Sequence, residues 1–218
     1  MIEKHINFIE LEKACAEQDC PLCVIISARA ERFIDGMLFE HVSDRVFRRE
    51  YRLAGGFCAF HSRKLETFHD GLAVAILGKD ILEDRLSSFK KRKPWKPKEE
   101  CPVCVERKRI EKEYLTFIVQ ADTNNKEVKF RASTELRSIF TASEGFCAPH
   151  YAKLLETVKH IPQWLIEFHE NKFNKLMERT SRFVELSAYG RQEEFIALSK
   201  KDQLVWKELA RNLRGDCE

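Results

Sequence analysis

The chain has 218 residues, 44% hydrophobic and 33% charged, a balance that fits a globular protein and excludes a disordered one. A net charge of +3 is too small to imply nucleic acid or a membrane surface by itself. The longest apolar run, Leu72 to Leu77, is six residues, far short of the roughly 20 a membrane span needs.

The start, MIEKHINFIELEK, has no cationic segment followed by an apolar one, so neither a signal peptide nor membrane association is expected. The expected compartment is the cytoplasm. Eight cysteines in a reducing compartment need a reason, and metal binding or redox work supplies one more readily than disulfides do.

In chain order, residues 6–17 predict a short helix. Cys20-Pro21-Leu22-Cys23 opens the next, with Pro21 in the first turn, where a missing N–H costs nothing, and this helix should run to about His41. Ser43 is the expected N-cap of a short helix stopped by Gly55-Gly56. Gly56-Phe57-Cys58-Ala59-Phe60-His61 follows, and then a helix from Leu72 to Phe89.

Lys90 to Lys98 carries six basic residues in nine, two prolines and Trp95, and reads as a linker. Cys101-Pro102-Val103-Cys104 opens a helix to about Ala121. A further helix is expected from about Val128 to Ala142, ahead of Gly145-Phe146-Cys147-Ala148-Pro149-His150. Ile161, Leu165, Phe168, Phe173, Leu176, Thr180 and Phe183 then recur at helical spacing along a long helix started by Pro162. A last helix should start at Asp202, with Leu204, Val205, Leu209 and Leu213 on one side. With no hairpin dipeptide between alternating runs, the fold class is all-α.

The motifs form an internal repeat. CPxC recurs after 81 residues and GFCxxH after 89, a difference met by an insertion of eight residues near Asp122 to Lys126. Lys64-Leu65 aligns with Lys153-Leu154, Arg48 with Arg137, and Tyr51 with Phe140. The domains expected are therefore 1–92 as repeat one, 93–100 as a basic linker, and 101–218 as repeat two with the C-terminal helices.

Residues i and i+3 on a helix share a face, so a CxxC or CxxH at a helix start brings two ligands together. Two such pairs complete a tetrahedral shell, and helix N-termini favour thiolates. The expected sites are Cys20, Cys23, Cys58 and His61 in repeat one, and Cys101, Cys104, Cys147 and His150 in repeat two, each clamping helix ends. Zinc, two per chain, is the first reading for this ligand set, and iron–sulfur clusters or a redox dithiol are the alternatives. A shell of three cysteines and one histidine leaves no open position for water, which favours structure over catalysis. Cys15 reads as a buried helical cysteine and Cys217 as part of a frayed tail. His5, His41, His69, His160 and His169 lack ligand spacing and read as surface or satisfied histidines.

The pattern CPxC, GFCxxH, CPxC, GFCxPH resembles a prokaryotic family known only as a domain of unknown function. Cys20 to Cys23, Gly56 to His61, Cys101 to Cys104 and Gly145 to His150 carry that resemblance, which would extend from Cys20 to about Gly215. It implies the duplicated Cys/His architecture and no activity. The copies differ where Phe60 stands against Pro149, so the two sites need not be equivalent.

No phosphate loop, HExxH or GxSxG is present, and the reading leans away from an enzyme. The expected function is a metal-stabilised structural or protein-interaction module with a protein partner. The alternatives are a thiol-based redox- or metal-responsive regulator, an iron–sulfur redox protein, and RNA or single-stranded DNA binding through the basic linker.

Overall fold

A computed structural model describes residues 6–68, 70–120 and 132–215. Among them there are twelve helices and no strand, as the sequence periodicity predicts. No described helix is long and apolar enough to cross a membrane.

The chain divides into two compact units that do not follow the repeat boundaries. One holds residues 1–25 and 112–217, the other residues 26–111. Both divisions fall inside helices, the first within α2 (Pro21–Glu40) and the second within α6 (Pro102–Gln120).

In the unit of residues 26–111, most of α2 is followed by α3 (Arg45–Ala54), α4 (Ala59–Leu65) and α5 (Gly71–Lys90). Ala30, Ile34, Met37 and Leu38 of α2 recur every one to four residues and join Tyr51, Phe57, Ala73, Leu77 and Ile81 in one buried cluster. The cap of α3 is Asp44 and not Ser43. Its carboxylate accepts the N–H of Val46 at 2.7 Å, and of Phe47 at 3.4 Å. At the other end Gly55 adopts φ 70° and Gly56 φ 85°, and the Gly56 amide donates to Tyr51 O at 2.9 Å, so the helix stops where expected. Arg48 of α3 forms a two-pronged pair with Asp80 of α5, both bonds 2.8 Å, and Arg52 pairs in the same way with Asp84.

The basic segment after α5 is not a free tether. The Lys98 amide donates to Leu53 O at 2.8 Å, and the Trp95 ring lies so close to Gly55 that a Cβ there would fall 1.9 Å from it. Cys101 and Val103 are part of the same buried cluster as Tyr51 and Leu77.

In the other unit α1 (Ile6–Cys15) packs on α7 (Ala132–Ala142), and α12 (Val205–Arg214) packs on α8 (Ala148–Thr157) and α9 (Gln163–Leu186). Short helices α10 (Gln192–Ile196) and α11 (Lys200–Gln203) rest on α9. The last helix expected from Asp202 is thus two, broken at Leu204. Arg179 of α9 holds both pieces, with one nitrogen 2.7 Å from Asp202 and another 2.8 Å from Glu208. Phe140 of α7, fully buried, meets Phe146 at 5.0 Å and Trp164 at 6.1 Å between ring centres. The expected helix start near Val128, the proposed insertion near Asp122, and His5, His69 and Cys217 lie outside the described residues.

Candidate metal centres

Four helix N-termini carry the eight ligand candidates. Cys20 and Cys101 each precede a proline that opens a helix, and Cys23 and Cys104 sit in the first turns of α2 and α6. Cys58 and Cys147 stand at the N-cap positions of α4 and α8 with nearly the same backbone, φ −63°, ψ 166° and φ −69°, ψ 165°. His61 and His150 follow three residues on, so each cysteine and histidine face the same way.

The eight residues do gather into two sets of four, but the partners are exchanged relative to the expectation from the repeats. Cys20, Cys23, Cys147 and His150 form one set; Cys58, His61, Cys101 and Cys104 form the other. Within each set the ligand atoms all lie within 4.8 Å of one another. One site per repeat, in 1–92 and in 101–218, is therefore corrected: each CPxC meets the GFCxxH of the other repeat.

The reason is length. Helix α2 has 20 residues, a rise of about 30 Å, whereas α3 has 10, a rise of about 15 Å that is too short to retrace it.

In the first set Cys23 Sγ and Cys147 Sγ are 3.8 Å apart, and His150 Nδ1 lies 3.4 Å from Cys20, 3.5 Å from Cys23 and 3.2 Å from Cys147. In the second, Cys58 Sγ and Cys104 Sγ are 3.8 Å apart, and His61 Nδ1 lies 3.2 Å from Cys58 and 3.5 Å from both Cys101 and Cys104. All described cysteines are free thiols. Sulfurs bonded to each other would sit at about 2.05 Å.

The donors fit a single tetrahedral ion. With Zn–S bonds of about 2.3 Å and Zn–N bonds of about 2.0–2.1 Å, the edges of the tetrahedron come to about 3.8 Å between sulfurs and about 3.6 Å between sulfur and nitrogen. Electrostatics agree. Burial pushes Cys20 up, but hydrogen bonding with Cys147, Cys23 and His150 outweighs it and holds Cys20 well below the usual thiol range. Burial likewise raises Cys58, and the backbone amides of His61 and Phe60 together with the neighbouring thiols reverse it. Cys104 goes the other way, to about 12, through burial and then repulsion from Cys101. Three thiols this close resist joint ionisation unless a cation sits among them.

The surroundings differ between the sets. Around Cys147, the Phe146 amide donates to His169 Nε2 at 2.9 Å, and Lys172 Nζ donates to Phe146 O at 2.7 Å. His169 itself, fully buried on α9, donates from Nδ1 to Leu165 O at 2.8 Å, and burial holds its pKa at about 4. Around Cys58, Ser62 Oγ donates to Phe57 O at 3.1 Å instead. His61 Nε2 is buried with no hydrogen-bond partner among the described residues. Cys58 and Cys104 are half-buried, whereas Cys23 and Cys147 are each 2% exposed.

Gly215, at the end of α12, closes over the first set. A Cβ there would fall 3.3 Å from Cys147 Sγ and 3.8 Å from Cys23 Sγ, and its φ 73°, ψ 152° is a conformation essentially reserved for glycine. Motif spacing does not reveal Gly215, His169 or Lys172, because each acts through the loop or sulfur it touches. His169 is a satisfied helical histidine, as expected, and the loop it satisfies is the one carrying Cys147. Cys15 is buried in α1, outside both sets, with its thiol raised to about 11 by burial.

Fold and clusters define the class: an all-helical protein with two sets of three cysteines and one histidine that can hold metal ions. A family of unknown function (DUF6062) matches residues 93–182, the stretch with Cys101, Cys104, Cys147 and His150. The resemblance read from the motifs is met there, over a shorter span than Cys20 to Gly215. The chain is also similar to an uncharacterized 23.9 kDa protein in the xynA 3' region of Caldicellulosiruptor sp. (strain Rt8B.4), 27% identical over 180 residues that cover 79% of this chain and 84% of that protein. No solved structure matches the chain.

Proposed function

We propose that the protein is a zinc-stabilised helical scaffold, with two ions per chain, that works by contact with a protein partner. The observation carrying this reading is the ligand geometry: sulfurs 3.8 Å apart and nitrogens 3.2 to 3.5 Å from sulfur in both sets. A cluster of two or more irons places its thiolates on different metal atoms and spreads them beyond one tetrahedral edge, so the compact sets favour one ion each. Three cysteines and a histidine fill a zinc shell, which leaves the ion a structural part. Each ion would join helix starts far apart in sequence, and its binding free energy would become folding free energy. Elemental analysis with an absorption spectrum on anaerobically purified protein tests the reading. Two zincs and no visible absorption support it; iron with broad visible absorption overturns it.

A second reading, a thiol-based redox- or metal-responsive regulator, is favoured by one observation. Cys20 and Cys147 line a cavity of about 390 Å³ that also holds Lys172, Lys201, Lys207 and Arg211. Peroxide entering there would take two electrons from two thiolates, form one S–S bond and leave as two hydroxides, releasing the ion. Release of zinc to a chelating dye at a small excess of peroxide supports this reading, and full retention argues against it.

A further inference from the structure

We propose that the groove between α3 and α5 binds an oligophosphate group. The groove lies wholly within the unit of residues 26–111 and has a volume of about 640 Å³, within the usual range for ligand sites of about 300–1,000 Å³. Its lining holds six cationic side chains, Arg45, Arg48, Arg49, Arg52, Lys96 and Lys98, against two carboxylates, Asp80 and Asp84.

The arginines are not a scattered solvated charge run. At i, i+3, i+4 and i+7 they occupy one face of α3, where like charges repel, while Tyr51 and Ala54 of the same helix are buried. Asp80 and Asp84 offset part of that repulsion and fix the planes of Arg48 and Arg52 through Nε and one terminal nitrogen each. The second terminal nitrogen of each guanidinium remains able to donate. Arg45, Arg49 and Lys96 have no carboxylate partner among the described residues, and Lys98 acts on Asp84 only through its charge. Ser87 and Ser88 of α5 add hydroxyls to the lining.

The third wall is the chain that follows α5. It is pinned by the bonds from the amides of Lys98 and Glu99 to Leu53 O, and by Trp95 seated on Gly55. Arg85 sits over the Trp95 ring at 5.2 Å. That ring is already engaged by its own protein, so the groove offers fixed cations and not a base-stacking platform.

The guanidinium fork matches phosphate oxygens. From Arg45 to Arg52 the cations extend over about 10 Å of helix. That length suits a chain of phosphates rather than a single one. The group could belong to free polyphosphate or to a nucleoside triphosphate.

The test is calorimetric titration of the full-length protein at low salt with inorganic tripolyphosphate, ATP and a single-stranded oligonucleotide. Tripolyphosphate should bind saturably, and Arg45→Glu with Arg49→Glu should weaken it roughly tenfold or more. Both residues are exposed and outside the ion pairs, so the variant should keep its helical circular dichroism. Equal affinity for ATP and tripolyphosphate supports a site that reads phosphates alone, and tighter ATP supports a nucleotide as the source. The absence of saturable tripolyphosphate binding would overturn the proposal, as would binding unchanged in the double variant. Oligonucleotide binding that tripolyphosphate does not displace would also overturn it.

Discussion

His150 Nδ1 lies 3.4 Å from Cys20 Sγ, a contact across 130 residues of sequence. The start of α2, near the beginning of the chain, thus shares a ligand set with the start of α8, in its last third. Within the unit of residues 1–25 and 112–217, an ion there would tie the opening segment to α8, and Arg211 of α12 adds a second tie to Asp19 at 3.2 Å.

The end of α12 should be sensitive to a single methyl group. Gly215→Ala would put a Cβ 3.3 Å from Cys147 Sγ in a backbone conformation that L side chains rarely adopt. We expect a loss of about 1–3 kcal/mol and faster metal release from the Cys20 set. Gly78→Ala, at an open helical position, should instead stabilise by about 0.5–1 kcal/mol. Thermal melts of the two variants check the contrast, and equal shifts would refute the covering role of Gly215.

The two sets should release metal at different rates. Cys58 and Cys104 are half-buried, and His61 Nε2 has no hydrogen-bond partner among the described residues. The His61 set should therefore yield its ion first to a chelating dye, in a biphasic course. Cys104→Ser should remove the fast phase and leave the slow one.

His169 should remain neutral well into acid. Its Nδ1 donates to Leu165 O and its Nε2 accepts from Phe146, so the protonated ring would turn a donor against the Phe146 amide. Its folded pKa, about 4, lies below the ordinary 6.5. The stability it contributes is complete above pH 6.5 and is lost as pH falls from there toward 4. Histidine ring NMR should show a Nδ1–H tautomer that does not titrate near 6.5. A ring that titrates normally would contradict the placement.

The α3 to α5 pairing should matter more at Asp80 than at Asp84. Asp80 is 7% exposed and paired through two bonds with Arg48. Asp80→Ala leaves Arg48 without its carboxylate in a partly buried place and should cost about 3 kcal/mol. Asp84, more open to solvent, should cost under about 1 kcal/mol. Urea unfolding of both variants measures the difference.

Local chemistry was legible and long-range pairing was not. Cys20 and Cys23, or Cys58 and His61, share a face because three residues nearly complete a helical turn, and that holds whatever the tertiary structure does. Which pair faces which depends on where whole helices lead the chain, and two equivalent motifs carry no label for their partners. The inequality of α2 and α3 in length was a usable signal, since a helix of 10 residues cannot retrace one of 20. Asp44 displaced Ser43 as the cap by one position, within the ordinary reach of capping rules. His169 reads as a surface or satisfied histidine, but its tie to the Cys147 loop was not legible, because its partners are a carbonyl and an amide of the backbone, which leave no pattern among side chains.

The exchanged pairing is tested most directly by counting ions in two double variants after mild chelation. Cys23→Ser with Cys147→Ser should abolish one set and keep the other, leaving one tightly held ion per chain. Cys23→Ser with Cys58→Ser should damage both sets and leave none. The opposite result, one ion retained in the second variant and none in the first, would place Cys23 with Cys58 and contradict the account.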